Sequence, residues 1–291
     1  MKKVLVTGGA GYIGSHTVVE LAAAGYTPVI LDNFSNSERS VIAALEEITG
    51  TSLLHVDADC RDEAALNTVF SEHGPFAGVL HFAAYKAVGE SVAQPVKYFD
   101  NNIGSLLALL NAMRAHNCRE LVFSSSCTVY GEPDVNPVTE STPWKPASSP
   151  YGYTKQVCER LIADLQTADQ GIRAVTLRYF NPIGAHPSAK IGELPLGPPN
   201  NLIPFLTQVA AGLRPQLTIF GNDYPTADGT CVRDYIHVVD LARAHVKALQ
   251  YIESQSTDRF ILIANVGTGA GVSVQEIVDS FEQATGVKVP H

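Results

Sequence analysis

Residues 4–16 read Val-Leu-Val-Thr-Gly-Gly-Ala-Gly-Tyr-Ile-Gly-Ser-His. A short apolar run meets Gly8, and glycines recur at Gly11 and Gly14 as a helical pattern begins. The order strand, G-x-x-G-x-x-G, helix has a physical reason. The first glycine permits a tight turn, the second lets the backbone approach a pyrophosphate, and the third allows close helix–sheet packing. The helix start adds free amides and a partial positive charge. Taken alone, the triplet also fits a plain strand-to-helix turn. Asp32 narrows the reading. It closes the next apolar run about 20 residues on, where a carboxylate can bond a ribose diol and repel a 2′-phosphate. Asp-Asn-Phe-Ser is also ordinary turn chemistry. Strand, triplet, helix and acid in register predict a dinucleotide site that prefers NAD to NADP.

Outward from this stretch, apolar runs at 4–7, 28–32, 53–57, 78–82, 120–124 and 174–178 alternate with helical patterns. Such near-continuous runs predict strands covered on both faces. Gly25 is placed as a helix stop. The alternation predicts an α/β fold, a Rossmann-type doubly wound parallel sheet with a smaller C-terminal substrate-binding lobe. After Asn181 the prolines crowd, with Pro182, Pro187, Pro195, Pro198, Pro199 and Pro204 in succession. The boundary is therefore set as 1–180 for the NAD-binding domain and 181–291 for a substrate lobe partly interleaved with it.

Charged residues make up 17% of the chain and hydrophobic residues 45%, which suits a well-buried enzyme-like globule. The net charge of −9 argues against a general nucleic-acid partner. The cysteines Cys60, Cys118, Cys127, Cys158 and Cys231 form no CxxC pair, which favours reduced thiols in the cytoplasm. The histidines show no metal-binding spacing, so no metal is expected. No run approaches a membrane span, and no membrane partner is expected.

Two segments carry chemistry. Ser124 to Gly131 reads Ser-Ser-Ser-Cys-Thr-Val-Tyr-Gly at a strand end, and Ser149 to Lys155 reads Ser-Pro-Tyr-Gly-Tyr-Thr-Lys. Pro150 suits a first helical turn, which puts Tyr151 and Lys155 on one helical face. Oxidising a sugar alcohol requires its hydroxyl to lose a proton as its carbon loses hydride. A phenol is a poor base until a neighbouring ammonium and an oxidised nicotinamide favour the phenolate. Lys155 can supply the first charge, and the Ser126 hydroxyl can hold the reacting oxygen. Tyr-x-x-x-Lys and serine-rich strand ends are each common on ordinary surfaces. In this order, after the glycine loop, they are far more specific. Asp59 and the segment around Lys86 fall on the same C-terminal sheet edge, although Lys86 is equally an ordinary solvated lysine.

These residues resemble the extended short-chain dehydrogenase/reductase family, specifically its members that act on nucleotide sugars. The likeness runs in order through TGGAGYIGSH, LDNFSNS, HFAAYKAVGES, FSSSCTVYGEP, SPYGYTK, RYFNPIGAH, PNNLIPF and IFGNDYPTADGTCVRDYIHVVDLA. The resemblance implies NAD-dependent interconversion of UDP-galactose and UDP-glucose, by reversible oxidation at carbon 4 through a 4-keto sugar. It implies Ser126, Tyr151 and Lys155 as the catalytic group. It further implies that Tyr12, Ile13, Asp32, Asn33, Ser37, Asp59, Cys60, Phe82, Ala83, Ala84, Lys86, Asn101, Ser124 and Phe180 contact NAD. Relatives that eliminate water or decarboxylate carry an acid after the equivalent of Thr128. Here Val129, Tyr130 and Gly131 follow, which disfavours both reactions.

For the UDP-sugar, Asn181, Asn201, Leu202, Thr218, Phe220, Arg233 and Tyr235 are expected to form the site. Asn200 or Asn201 can cap the following helix and leave its start for a phosphate. Arg233 can fork onto phosphate oxygens, with Phe220 or its neighbours against uracil. The bland alternatives are that Asn201 is only a cap, that Arg233 pairs with Asp234 or Asp240, and that Asp240 caps its own helix. His237 reads as structural. Family members run on for several dozen residues past Val-Lys-Val-Pro-His, through an Arg-Arg-x-Gly-Asp segment on UDP. The expectation is a C-terminally truncated chain that folds and binds NAD but holds substrate less tightly. A homodimer through stretches 103–115 and 151–165 is implied as well, though their apolar residues can equally pack inward. The alternatives are another nucleotide-sugar epimerase or reductase of the family, or a non-catalytic NAD-binding protein.

Overall fold

The computed structural model describes residues 1–168 and 171–291. In chain order the elements are β1 (Lys3–Thr7), α1 (Tyr12–Ala23), β2 (Thr27–Asp32), α2 (Ser40–Thr49), β3 (Leu54–Asp57), α3 (Glu63–His73) and β4 (Phe76–His81). Next come α4 (Val88–Ala93), α5 (Pro95–Ala115), β5 (Glu120–Ser124), a 3₁₀ turn over Cys127–Tyr130, α6 (Pro150–Thr167), β6 (Arg173–Tyr179) and β7 (Asn181–Ile183). The chain finishes with α7 (Leu202–Ala210), β8 (Val232–His237), α8 (Val238–Ser254), β9 (Phe260–Val266), β10 (Gly271–Ser273) and α9 (Val274–Thr285).

Among the described residues the main sheet has seven strands in the order β3-β2-β1-β4-β5-β6-β9, and every pairing is parallel. Period-two alternation splits its side chains between two cores. Leu5 and Val29 join Leu106, Leu109 and Ile162 on the α5/α6 face. Val4, Val6 and Ile30 join Leu21, Leu45 and Leu249 on the α1/α2/α8 face. The order reverses between β1 and β4, and the crevice opens at the C-terminal ends of those strands.

Two expectations need correction. The run 53–57 was expected to be covered on both faces, but β3 is the sheet edge, with Leu54 and His55 exposed. The texture after residue 181 is less irregular than the prolines suggest. There α8 packs on α1, and β9 becomes the seventh strand of the main sheet. Residues 261–266, Ile-Leu-Ile-Ala-Asn-Val, carry the same apolar signal as the earlier strands. The smaller lobe holds the sheet β10-β8-β7 with α7 and α9. Its own core gathers Leu206, Val209, Leu217, Val278 and Val289. No described helix is long and apolar enough to cross a membrane.

Candidate active site

At the β1–α1 turn Gly8 has φ +71°, and a Cβ there would stand 2.7 Å from the Ala83 amide nitrogen. A Cβ on Gly14 would lie 2.2 Å from the Gly8 carbonyl oxygen. Gly11 occupies the N-cap position, and no side chain caps α1. Its first amides thus keep their donors for an outside acceptor. Asp32 is buried and organised: it accepts from the Ala10 amide at 2.9 Å, the Phe34 amide at 2.9 Å and the Ser37 hydroxyl at 3.1 Å. Gly8, Gly11, Asp32, Asn33, Ser37, Asp59, Cys60, Phe82, Ala83, Ala84 and Asn101 line one open cleft. A bare glycine cradle, uncapped amides and a carboxylate beyond them fit a dinucleotide. Sequence reasoning missed Ser35, Asn36, Ala58, Tyr85 and Ser105 in that cleft. The first two lie within the same Asp32 loop and were legible there. It missed Arg61 too, whose side chain bonds Asp59 and, with the Arg61 amide and Asn33, holds that carboxyl down at about 2.

The catalytic candidates meet beside the cleft. Ser149 caps α6 by accepting from the Gly152 amide, and Pro150 fills the first turn as expected. Tyr151 and Lys155 are both buried, with the Lys155 Nζ 6.0 Å from the Tyr151 ring centre. That ammonium donates to the Ser124 carbonyl at 2.7 Å and lies 5.0 Å from the Phe123 ring. Burial lowers Lys155 to about 8, while Cys158 and Glu159 pull it upward. Burial also drives the Tyr151 phenol well above its ordinary value, Tyr179 adds to this, and a Ser126 hydrogen bond opposes it. Ser126 caps the 3₁₀ turn by accepting from the Thr128 amide at 3.2 Å, which fixes the hydroxyl at the strand end.

The profile of the NAD dependent epimerase/dehydratase family matches residues 4–267. The chain belongs to that family. It is similar to a UDP-glucose 4-epimerase of Bacillus subtilis, with 53% identity over 99% of this chain and 84% of the relative. Among family structures, a UDP-glucose 4-epimerase of Stenotrophomonas maltophila with bound NAD and formylated UDP-arabinopyranose superposes with TM-score 0.95 at 53% identity, covering 100% of this chain and 85% of that one. A Bifidobacterium longum UDP-glucose 4-epimerase in complex with NAD+ and UDP gives TM-score 0.94 at 46% identity, covering 99% and 85%.

The remaining candidates are less gathered. The Tyr12 hydroxyl donates to the Gly184 carbonyl at 2.7 Å, tying the family's glycine loop to the segment after β7. Ile13 follows in the first turn of α1, and Phe180 is half-buried between β6 and β7. The Ser124 hydroxyl is paired with the Tyr179 hydroxyl at 2.8 Å. Lys86 is solvent-exposed but not free: it pairs with Glu193 at 2.8 Å, with its Nζ 5.7 Å from the Tyr12 ring centre. Asn201 stands at the N-cap of α7 without making a cap bond, and donates instead to the same Glu193 oxygen at 2.6 Å. Leu202 packs into the small core, which makes it structural as well. Arg233 pairs with neither Asp234 nor Asp240: its guanidinium bonds the Val232 carbonyl, and its charge reaches Cys127. Asp234 is taken by Thr268 and Gly269, and Asp240 pairs with Arg243. Asp240 does not cap α8 either. His237 holds the N-cap and accepts from the Val239 amide at 3.2 Å, because the helix starts at Val238, three residues earlier than the capping reading required. Asn181 and Thr218 are exposed, Tyr235 is half-buried on β8, and Phe220 is 82% exposed.

Proposed function

We propose that the chain interconverts UDP-galactose and UDP-glucose, using Ser126, Tyr151 and Lys155 at carbon 4 of the sugar. The carrying observation is the buried Tyr151–Lys155 pair anchored to the Ser124 carbonyl beside a glycine cradle, in a family member 53% identical to UDP-glucose 4-epimerases. NAD, held by the glycine cradle and Asp32, would supply the hydride acceptor and donor for oxidation and re-reduction at carbon 4.

The protein's part is proton handling and placement. Tyr151 takes the 4-hydroxyl proton and gives it back in the second half-reaction, so neither protons nor electrons accumulate. Ser126 holds the reacting oxygen. Lys155, fixed by the Ser124 carbonyl, brings positive charge to a phenol that burial otherwise keeps protonated. Gly8, Gly11, Tyr12, Ile13 and Gly14 form the pyrophosphate seat, with Asp32 and Ser37 at the ribose. Asn33, Asp59, Cys60, Phe82, Ala83, Ala84, Lys86, Asn101, Ser124 and Phe180 complete the cofactor's surroundings. Arg233 is the phosphate fork for the UDP group, with Asn181, Asn201, Leu202, Thr218, Phe220 and Tyr235 around it. This reading puts the reaction in the cytoplasm.

The deciding experiment supplies UDP-galactose without added NAD and follows UDP-glucose, with Tyr151→Phe in parallel. Conversion that disappears in the variant is expected. Equal conversion by both proteins would remove Tyr151 from the mechanism, and a wild type that never converts would remove the activity.

A second copy of the chain is the proposed partner. Val92, Val96, Leu107 and Tyr153 stand exposed along α4, α5 and α6, with Phe99 edge-on to Tyr153. Such a run supports pairing of α5 and α6 as a four-helix contact. Light scattering should report a dimer for the wild type and a monomer for Leu107→Asp. A wild-type monomer overturns the pairing.

A further inference from the structure

Beneath the catalytic trio lies a buried charged cluster that the proposed chemistry does not use. Glu159 is one helical turn beyond Lys155 on α6, and Arg178 enters from the neighbouring strand β6. Their side chains are 3% and 2% exposed. The guanidinium forks onto the carboxylate, with Nη2 to Oε2 at 2.6 Å and Nε to Oε1 at 3.0 Å. The same Oε1 accepts from the hydroxyl of Ser125, which is wholly buried. Arg178 also donates to the Tyr130 hydroxyl at 3.0 Å, at the end of the 3₁₀ turn that Ser126 begins.

Ser125 stands between the two working residues of its strand end. Ser124 before it gives the carbonyl that holds Lys155, and Ser126 after it is the hydroxyl proposed to hold the sugar oxygen. A carboxylate on α6 that grips Ser125 therefore sets the strand end against the helix carrying Tyr151 and Lys155. Burying two charges for packing alone is a poor source of stability, since apolar residues of similar volume commonly do as well. Holding catalytic groups to within a fraction of an ångström is a task for which rigid, fully bonded polar support matters.

We propose that Glu159, locked by Arg178, is a positioning residue that acts through Ser125 to hold Ser126 and Lys155 in register with Tyr151. The inference rests on the epimerase reading above. The ammonium it serves is faced by Tyr151, Cys158 and Glu159 on α6, by Phe123 and the Ser124 carbonyl on β5, and by His81 on β4. Of these, Glu159 is the one carboxylate, so it also helps keep Lys155 charged.

Glu159→Ala would leave a buried guanidinium without its partner and is expected to fold poorly. The test therefore uses Ser125→Ala, which removes only the strand-to-helix link, and Glu159→Gln, which keeps an acceptor for Ser125 but loses the charge. Each is compared with wild type for bound NAD, KM for UDP-galactose, kcat and its pH profile. Ser125→Ala should lower kcat roughly 10-fold while KM and bound NAD stay within about twofold. Glu159→Gln should keep more of kcat than Ser125→Ala at low pH, and its alkaline limb should move to lower pH by about one unit. A loss of NAD or a rise in KM matching any fall in kcat would reduce the cluster to scaffold and overturn the proposal, as would unchanged kcat in both variants. An inactive wild type would instead overturn the underlying reading and this inference with it.

Discussion

The two sides of the cleft are built differently. On the proposed cofactor and catalytic side the key polar side chains are already held. Asp32 has three donors, Lys155 has the Ser124 carbonyl, and Ser126 has the Thr128 amide. On the proposed substrate side Asn181, Thr218, Phe220 and Arg233 are exposed, and the Arg233 guanidinium hydrogen-bonds its neighbour's carbonyl. On the proposed roles, preorganisation is concentrated where charge must move, and the exposed groups of the nucleotide end are left to be ordered by what they bind. Substitutions on the first side should therefore reduce chemistry or cofactor retention, and those on the second should reduce affinity.

The largest expected effect is that of Tyr151→Phe. Removing the proposed proton acceptor while sparing the ring should lower kcat about 1,000-fold, with bound NAD retained, as measured by UDP-glucose formation and cofactor content. A fall confined to KM would break the contrast at its strongest point. Gly14→Ala comes next. Its methyl would meet the Gly8 carbonyl and the Gly9 Cα, both backbone atoms that cannot swing aside. We expect a loss of about 1–3 kcal/mol in stability and little NAD in the purified protein. Full NAD content at the wild-type melting temperature would show that the turn is not the seat of the pyrophosphate. On the opposite side, Arg233→Ala should raise KM for UDP-galactose roughly 10- to 100-fold while NAD content and kcat hold, from loss of charge-assisted bonds. If kcat fell instead, Arg233 would belong with the preorganised side.

The same division governs what was legible in the sequence. Gly8, Gly11, Gly14, Asp32 and the Tyr151–Lys155 spacing are local patterns whose physics is complete within a few residues, so the strand, turn and helix that carry them could be read. The pairing of Lys86 with Glu193 spans 107 residues and forms only once the chain has folded, where Asn201 meets the same carboxylate from 8 residues away. Nothing near Lys86 in the sequence marks that partner. The grip of Glu159 on Arg178 joins a helix to a strand 19 residues on, and needs the sheet order to exist. The displacement of Asp240 by His237 at the start of α8 is of another kind. A three-residue error in the helix boundary changes which side chain meets the first free amides. Asp62, capping α3, and the Ser273–Glu276 capping box of α9 show that such signals are dependable when the boundary is right.

The smallest expected effect bears on how the preorganised side holds its charge. Burial lowers Lys155 from an ordinary 10.5 to about 8. Below that pH the folded and unfolded chains both carry the proton, and the folded protein bears the full cost of a buried ammonium. Between about pH 8 and 10.5 the unfolded chain still binds the proton and the folded chain does not. Stability from this group therefore rises with pH across that window. Lys155→Met removes the slope and also the bond to the Ser124 carbonyl. Urea unfolding of both proteins should show the difference moving in favour of wild type by up to about 2 kcal/mol from roughly pH 8 to 9.5. Other titrating groups are common to both chains and cancel in the comparison. A difference that stays flat would mean that Glu159 and Cys158 offset the burial of Lys155. Its ammonium would then persist well above neutral pH, and the catalytic edge would be held by charge balance rather than by tolerated strain.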